Sequence, residues 1–109
     1  MKTMTTNLKR ASIEIILLKL LTEEDMYGYQ MAQEIKKRTD HKLAILEGSM
    51  YTILNRLKDA GDVTFYPKTV GIKMTRVYYH ITETGRAHLA EMVSSFNDVT
   101  DIIGNIINK

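Results

Sequence analysis

The chain has no cysteine. That excludes a disulfide scaffold, thiolate zinc sites and a thiol nucleophile, and it fits a reducing cytoplasm. Its one extended apolar stretch, Ile13 to Leu21, is interrupted by Glu14 and Lys19. With no small-residue cleavage site after it, that stretch is read as neither a signal peptide nor a membrane span. No HExxH, GxSxG, P-loop or GxGxxG pattern occurs, so no cofactor or catalytic centre is expected. The three histidines, His41, His80 and His88, stand in separate segments. His80 and His88 are not spaced as metal ligands, and each is read as a surface residue. There is no internal repeat or low-complexity segment.

What is present suits one soluble domain: 109 residues, 44% hydrophobic and 26% charged. The net charge of +2 is small, but it is unevenly spread. Residues 1–81 carry 13 Lys and Arg against 9 Asp and Glu, whereas residues 82–109 carry 2 against 4. Between Val63 and Ile81 the chain has Lys68, Lys73 and Arg76 and no acid. A basic patch on a nearly neutral protein can bind a polyanion or can simply be a solvated face.

Ile13, Ile16, Leu17, Leu20 and Leu21 recur at helical spacing and predict a buried stripe. Ile15 and Leu18 fall off it, which suggests a helix touched on more than one side, by a second subunit as well as by its own core. Thr22 to Asp25 breaks the pattern. Tyr27, Met31 and Ile35 predict a second helix that ends in Lys36, Lys37 and Arg38. Those cations can oppose the helix dipole, and they can also meet phosphate. Leu43 to Leu46 lies in a linker. A third helix places Met50, Ile53, Leu54 and Leu57 inward and ends at Gly61, a good left-handed cap. Val63 to Tyr66 and Thr75 to Ile81 read as strands, with Pro67 to Met74 as the turn. Thr82 caps a long final helix.

That last helix carries Leu89, Met92, Phe96, Val99, Ile103 and Ile106 at alternating steps of three and four. This is coiled-coil spacing over a short length. The domain before it already supplies three helices and a hairpin for one small core. A protruding helix with an apolar seam is therefore expected to pair with a second copy. The order helix, helix, helix, strand, strand, helix predicts a mainly α fold with a small β-hairpin. It suits a winged helix-turn-helix over residues 8–81 and a C-terminal dimerisation helix over 82–109.

Over about residues 8–106 the chain resembles the PadR family of bacterial transcriptional regulators, in particular its small members with a single C-terminal helix. The likeness is carried by Ile16-Leu17-Leu18, Met26-Tyr27-Gly28-Tyr29 and Gly48-Ser49-Met50-Tyr51, with Leu54, Arg56, Leu57 and Gly61. It continues in Tyr78-Tyr79, Ile81-Thr82-Glu83 and Gly85-Arg86. The resemblance implies a homodimer that binds double-stranded DNA at a pseudo-palindromic operator, usually as a repressor of nearby genes. It also implies a candidate pocket for a small hydrophobic effector at the dimer centre, here at Phe96, with Met92 and Ile15 as further candidate lining; plain packing of the seam and core is the alternative for Phe96 and Met92. Three positions depart from the family pattern. Leu46-Glu47 stands where a capping residue is usual, so the third helix is expected to start late, with Ser49 as its cap. Asp62 replaces an apolar residue after Gly61, and Val77 replaces a basic one.

Within that frame, Ser49, Thr52, Asn55 and Arg56 supply hydroxyls, an amide and a guanidinium on one outward face. Asn can pair with adenine and Arg with guanine, although Arg56 can equally bridge to Asp59 or Asp62. Tyr51 can pack its ring inward and offer its hydroxyl to phosphate. Tyr27, Tyr29, Tyr78 and Tyr79 read as packing residues. Lys68, Lys73 and Arg76 would hold phosphates from the wing. A winged helix used only for protein contacts is the alternative.

Overall fold

A computed structural model describes the backbone of residues 2–108 and the side chains of residues 10–108. Most of the basic N-terminal run and Lys109, the last residue of the expected dimerisation segment, lie outside the described side chains. Helix α1 spans Lys2–Glu23, strand β1 Met26–Tyr27, helix α2 Gly28–Arg38 and helix α3 Glu47–Asp59. Strands β2 (Val63–Val70) and β3 (Met74–Ile81) and helix α4 (Glu83–Ile107) complete the order. Among the described residues no helix is long and apolar enough to cross a membrane.

Helix α1 is the central element, touching α2, α3, β3 and α4. Ile13, Leu17, Leu20 and Leu21 are buried as expected, but so is Leu18, which the single stripe leaves out. A helix surrounded on several sides needs apolar residues on several faces. Met31 and Ile35 of α2, Met50, Ile53, Leu54 and Leu57 of α3, and Tyr79 and Ile81 of β3 close the core around it. Leu43 and Ile45 of the α2–α3 linker pack against the same core.

The sheet corrects the expected hairpin in two ways. It has three strands in the order β1-β3-β2, and Tyr27 lies in β1 rather than in the second helix. Two residues are too short a run to read as a strand, and β1 exists only because Met26 and Tyr27 meet Tyr79 and Tyr78. The wing strands are also longer than expected, running to Val70 and from Met74. Pro67 and Lys68 therefore lie within β2, and the turn shrinks to Gly71, Ile72 and Lys73. Pro67 is tolerated because β2 is an edge strand with one unpaired side. Gly71 supplies the left-handed residue of that turn at φ +71°.

Helix α3 begins earlier than expected. Leu46 is its cap residue, at φ −67° and ψ 138°, and its side chain makes no capping bond. Its carbonyl still accepts the Met50 N–H at 3.0 Å. Ser49 is thus inside the first turn and does not cap it. Tertiary burial of Met50 and Ile53 holds this end where local chemistry does not. The other end follows the sequence closely. Gly61 takes φ +81°, its N–H bonds to Lys58 O, and the Asp62 N–H bonds to Leu57 O at 2.8 Å. That pair of bonds is a Schellman closure. Thr82 caps α4 as expected, its hydroxyl oxygen accepting the Gly85 N–H at 3.0 Å.

Candidate nucleic-acid interface

Helix α3 divides into two faces. Met50, Ile53, Leu54 and Leu57 are buried, while Ser49, Tyr51, Thr52, Asn55 and Arg56 are exposed. The Thr52 hydroxyl donates to Gly48 O at 3.1 Å. Arg56 does not bridge to Asp59 or Asp62. Its Nη1 lies 3.6 Å from Glu14 of α1, which sequence distance hides. The side chain is half-exposed, so this ion pair holds it weakly and leaves it free to exchange partners.

Tyr51 sits where two elements meet. Its ring lies against Gly28, where an added Cβ would come within 2.8 Å of the hydroxyl oxygen. Glycine at the start of α2 thus makes room for the ring. Tyr51 and Arg76 line one cleft with Tyr27, Tyr29 and Tyr79. This brings the start of α3 beside the outer part of β3, next to the wing tip. Burial, with Tyr51 nearby, raises the Tyr79 phenol above its ordinary range and keeps it neutral.

The wing cations are held by rings. Register places Lys68 opposite Arg76 and Tyr66 opposite Tyr78, all on one face of the sheet. Lys68 Nζ stands 5.1 Å over Tyr78, and the Arg76 guanidinium 4.4 Å over Tyr27. Such contacts are favourable and leave the charged edge available. Lys73 is exposed in the turn beside Ile72. Tyr78 stacks on Tyr66 and meets Tyr27 edge-on, so the three rings form one ladder.

Asp25 anchors the ladder. It accepts the Tyr66 hydroxyl at 2.7 Å and lies 2.8 Å from His80 Nδ1. Burial pushes its carboxyl up, but the bonds from Tyr66 and His80 outweigh this and the net shift is down. His80 is therefore not simply a surface residue, and the polar break at Thr22–Asp25 has a structural task. At the end of α2, Arg38 forks onto Glu23 at 2.6 and 2.9 Å and also bonds Glu34. It ties α2 to α1, so of the basic cluster only Lys36 and Lys37 remain for other partners.

Helix α4 separates the expected seam. Leu89 is buried in this chain's own core and Met92 is half-buried against it. Phe96, Val99, Ile103 and Ile106 are exposed at 51%, 53%, 49% and 71%, and Ile102 and Ile107 beyond the seam are exposed too. Ile15, Met92 and Phe96 line a groove between α1 and α4 with His88 and Val99. His88 is not free either, because its Nδ1 lies 2.7 Å from the buried Asp62 carboxylate. Among the described residues no cluster could hold a metal ion.

The same fold occurs in known proteins. A protein from Lysinibacillus sphaericus, described only as uncharacterized, is 36% identical over 94 residues, which is 86% of each chain. A transcriptional regulator from Clostridium thermocellum superimposes with a TM-score of 0.83 at 28% identity, over 91% of this chain and 93% of that one. Bacillus subtilis PadR, solved in complex with operator DNA, shares the fold with a TM-score of 0.68 at 23% identity, over 75% of this chain and 47% of its own. The model of the transcriptional regulator PadR-like family matches residues 17–91. With most of its length inside that match, the chain belongs to the PadR-like family of transcriptional regulators.

Proposed function

We propose that this regulator acts as a cytoplasmic homodimer that binds a pseudo-palindromic operator and represses nearby genes. One observation carries the reading. The outward face of α3 is small and polar, and it leads directly into a wing that bears three cations and no acid. Ser49, Thr52, Asn55 and Arg56 would enter the major groove, Asn55 and Arg56 suiting adenine and guanine edges. Lys68, Lys73 and Arg76 would hold phosphates beside it, with Tyr51 bridging the two sets. The operator-bound Bacillus subtilis relative has the same fold. Residues 8–81 form the reading unit, and residues 82–109 carry the pairing helix.

Pairing would use Phe96, Val99, Ile103 and Ile106, with Met92 at the edge where the seam enters the core. An exposed run of that size is unusual on a free monomer. Two α3 helices about 34 Å apart would then address successive turns of one duplex. The groove of Ile15, Met92 and Phe96 would lie beside this junction and suits a flat apolar effector whose binding relieves repression. Ile72, 94% exposed at the wing tip, favours the alternative of a protein-docking wing. Salt separates the two readings, because phosphate contacts release counterions and apolar docking does not.

The test is fluorescence anisotropy with DNA from upstream of the gene at two salt concentrations. Arg56→Ala should reduce preference for the specific site. Lys73→Ala should weaken all sequences alike and lower the salt slope by about one. If neither substitution changes binding to the operator, the helix-and-wing reading is wrong.

A further inference from the structure

Asp62 is the one charged side chain that is buried among the described residues, at 2% exposure. It occupies the position after Gly61, where a Schellman closure usually places an apolar side chain against the helix. A buried carboxylate requires a partner, and His88 of α4 supplies it at 2.7 Å. The backbone of Asp62 is engaged as well. Its carbonyl accepts the N–H of Thr82 at 3.0 Å, while the Thr82 hydroxyl donates mainly to Gly61 O at 2.6 Å and lies 3.0 Å from Asp62 O. Gly85 lies so close to that carbonyl that any Cβ would overlap it.

Helix α4 therefore meets the α3–β2 junction at two points. Thr82 is the first, at the start of the helix. Leu89 and Met92 also hold α4 against the core, but by apolar packing, which is non-directional. His88 is six residues beyond Thr82, a rise of about 9 Å. A second directional attachment at that distance narrows the range of angles that the packing allows. We propose that Asp62 and His88 are a positioning pair that sets the angle between α4 and the unit formed by α3 and the wing. In a dimer joined through α4, this angle sets the separation of the two α3 helices. His88 also lines the α1–α4 groove, so the pair joins that groove to the α3–β2 junction. The consequence for DNA rests on the function proposed above, whereas the angle can be measured without DNA.

The absence of native cysteine permits site-specific spin labelling. Asn55→Cys on α3 and Asp98→Cys on α4 are labelled in one chain, which is diluted into unlabelled protein so that only the intrachain distance is read. The parent should give one narrow distance distribution by double electron–electron resonance. His88→Ala should broaden it by several ångströms in a chain that is still folded by circular dichroism. Asp62→Asn, which retains an oxygen to accept from His88, should stay narrow. The double variant Asp62→Asn/His88→Ala removes the buried charge and should broaden even if His88→Ala alone folds poorly. A merely stabilising contact would lower the melting temperature without broadening the folded state. Narrow distributions in the folded His88→Ala chains overturn the proposal. In the operator assay His88→Ala should bind roughly tenfold more weakly, the loss expected if about one chain in ten then holds the binding angle. Failure of the parent chain to bind DNA would sink the functional reading and leave the distance result standing.

Discussion

Gly85→Ala should be among the most damaging single-methyl changes in this chain. The added Cβ would overlap the Asp62 carbonyl oxygen and crowd Ile81 Cγ1 at 2.9 Å. The carbonyl is backbone, fixed by the Schellman closure of α3, and cannot swing aside. Either α4 moves outward or the junction deforms. Overpacking of this kind costs about 1–3 kcal/mol. Retreat of α4 also stretches the Thr82 N–H bond to Asp62 O and the Thr82 hydroxyl bond to Gly61 O, each worth about 1 kcal/mol. Alanine returns at most about 1 kcal/mol in helix propensity. The net loss is about 2–4 kcal/mol, from a total of about 5–15 kcal/mol for a domain of this size. Thermal unfolding by circular dichroism, at fixed chain concentration because pairing would make the midpoint depend on it, should show a fall of about 10 °C or more. Gly48→Ala is the control, since nothing lies within 4 Å of its Cβ position, and it should hold or raise the midpoint. Gly28→Ala is the intermediate case, because the atoms it meets are the far end of the half-exposed Tyr51 ring, which can move. A Gly85→Ala midpoint within 2 °C of the parent, taken as roughly the smallest shift that matters, would refute the argument.

Phe96→Asp should split the dimer, and light scattering that shows the parent mass unchanged would count against the α4 seam. Leu46→Ser should stabilise the chain by about 1 kcal/mol, because it supplies the side-chain cap that α3 lacks; denaturant titration with no gain would show that water or neighbouring groups already satisfy that end. The Asp25 anchor should be pH-dependent at both extremes. Asp25 is held below the usual carboxylate range, so its contribution is complete above that range and is lost as pH falls through its folded value. Tyr66 is held above the usual phenol range by its bond to Asp25, so its contribution is complete below about pH 10 and is lost as pH rises further. Asp25→Asn should flatten the acid limb of the stability profile, and an unchanged limb would show that other carboxylates govern it.

Much of the fold was legible because local chemistry and tertiary packing agree. The inward residues of α3, the left-handed Gly61 and the Thr82 cap each follow from spacing or backbone preference, and the structure keeps them. Helix α3 starts at Glu47 despite a poor cap because burial of Met50 and Ile53 outweighs about 1 kcal/mol of capping. Strand β1 was invisible because two residues carry no periodicity, and its bonds come from a partner some fifty positions away in sequence. Leu89 was assigned to the wrong neighbour because periodicity marks an apolar face and does not say what covers it.

The same division runs through the candidate site. Ser49, Thr52, Asn55 and Arg56, and the acid-free wing with Lys68, Lys73 and Arg76, could be read directly, since side-chain type and helical phase are properties of the chain alone. Their pairings could not. Arg56 with Glu14, Arg38 with Glu23, Asp25 with Tyr66 and His80, and Asp62 with His88 join residues from 15 to 55 positions apart. Composition and spacing thus determined the order of the four helices and the two wing strands, the polar face of α3 and the basic wing. Tertiary structure alone decided which charges are spoken for, where the α4 seam ends in the core, and that a carboxylate after Gly61 is buried against His88, because those depend on which distant segments the packed core brings into contact.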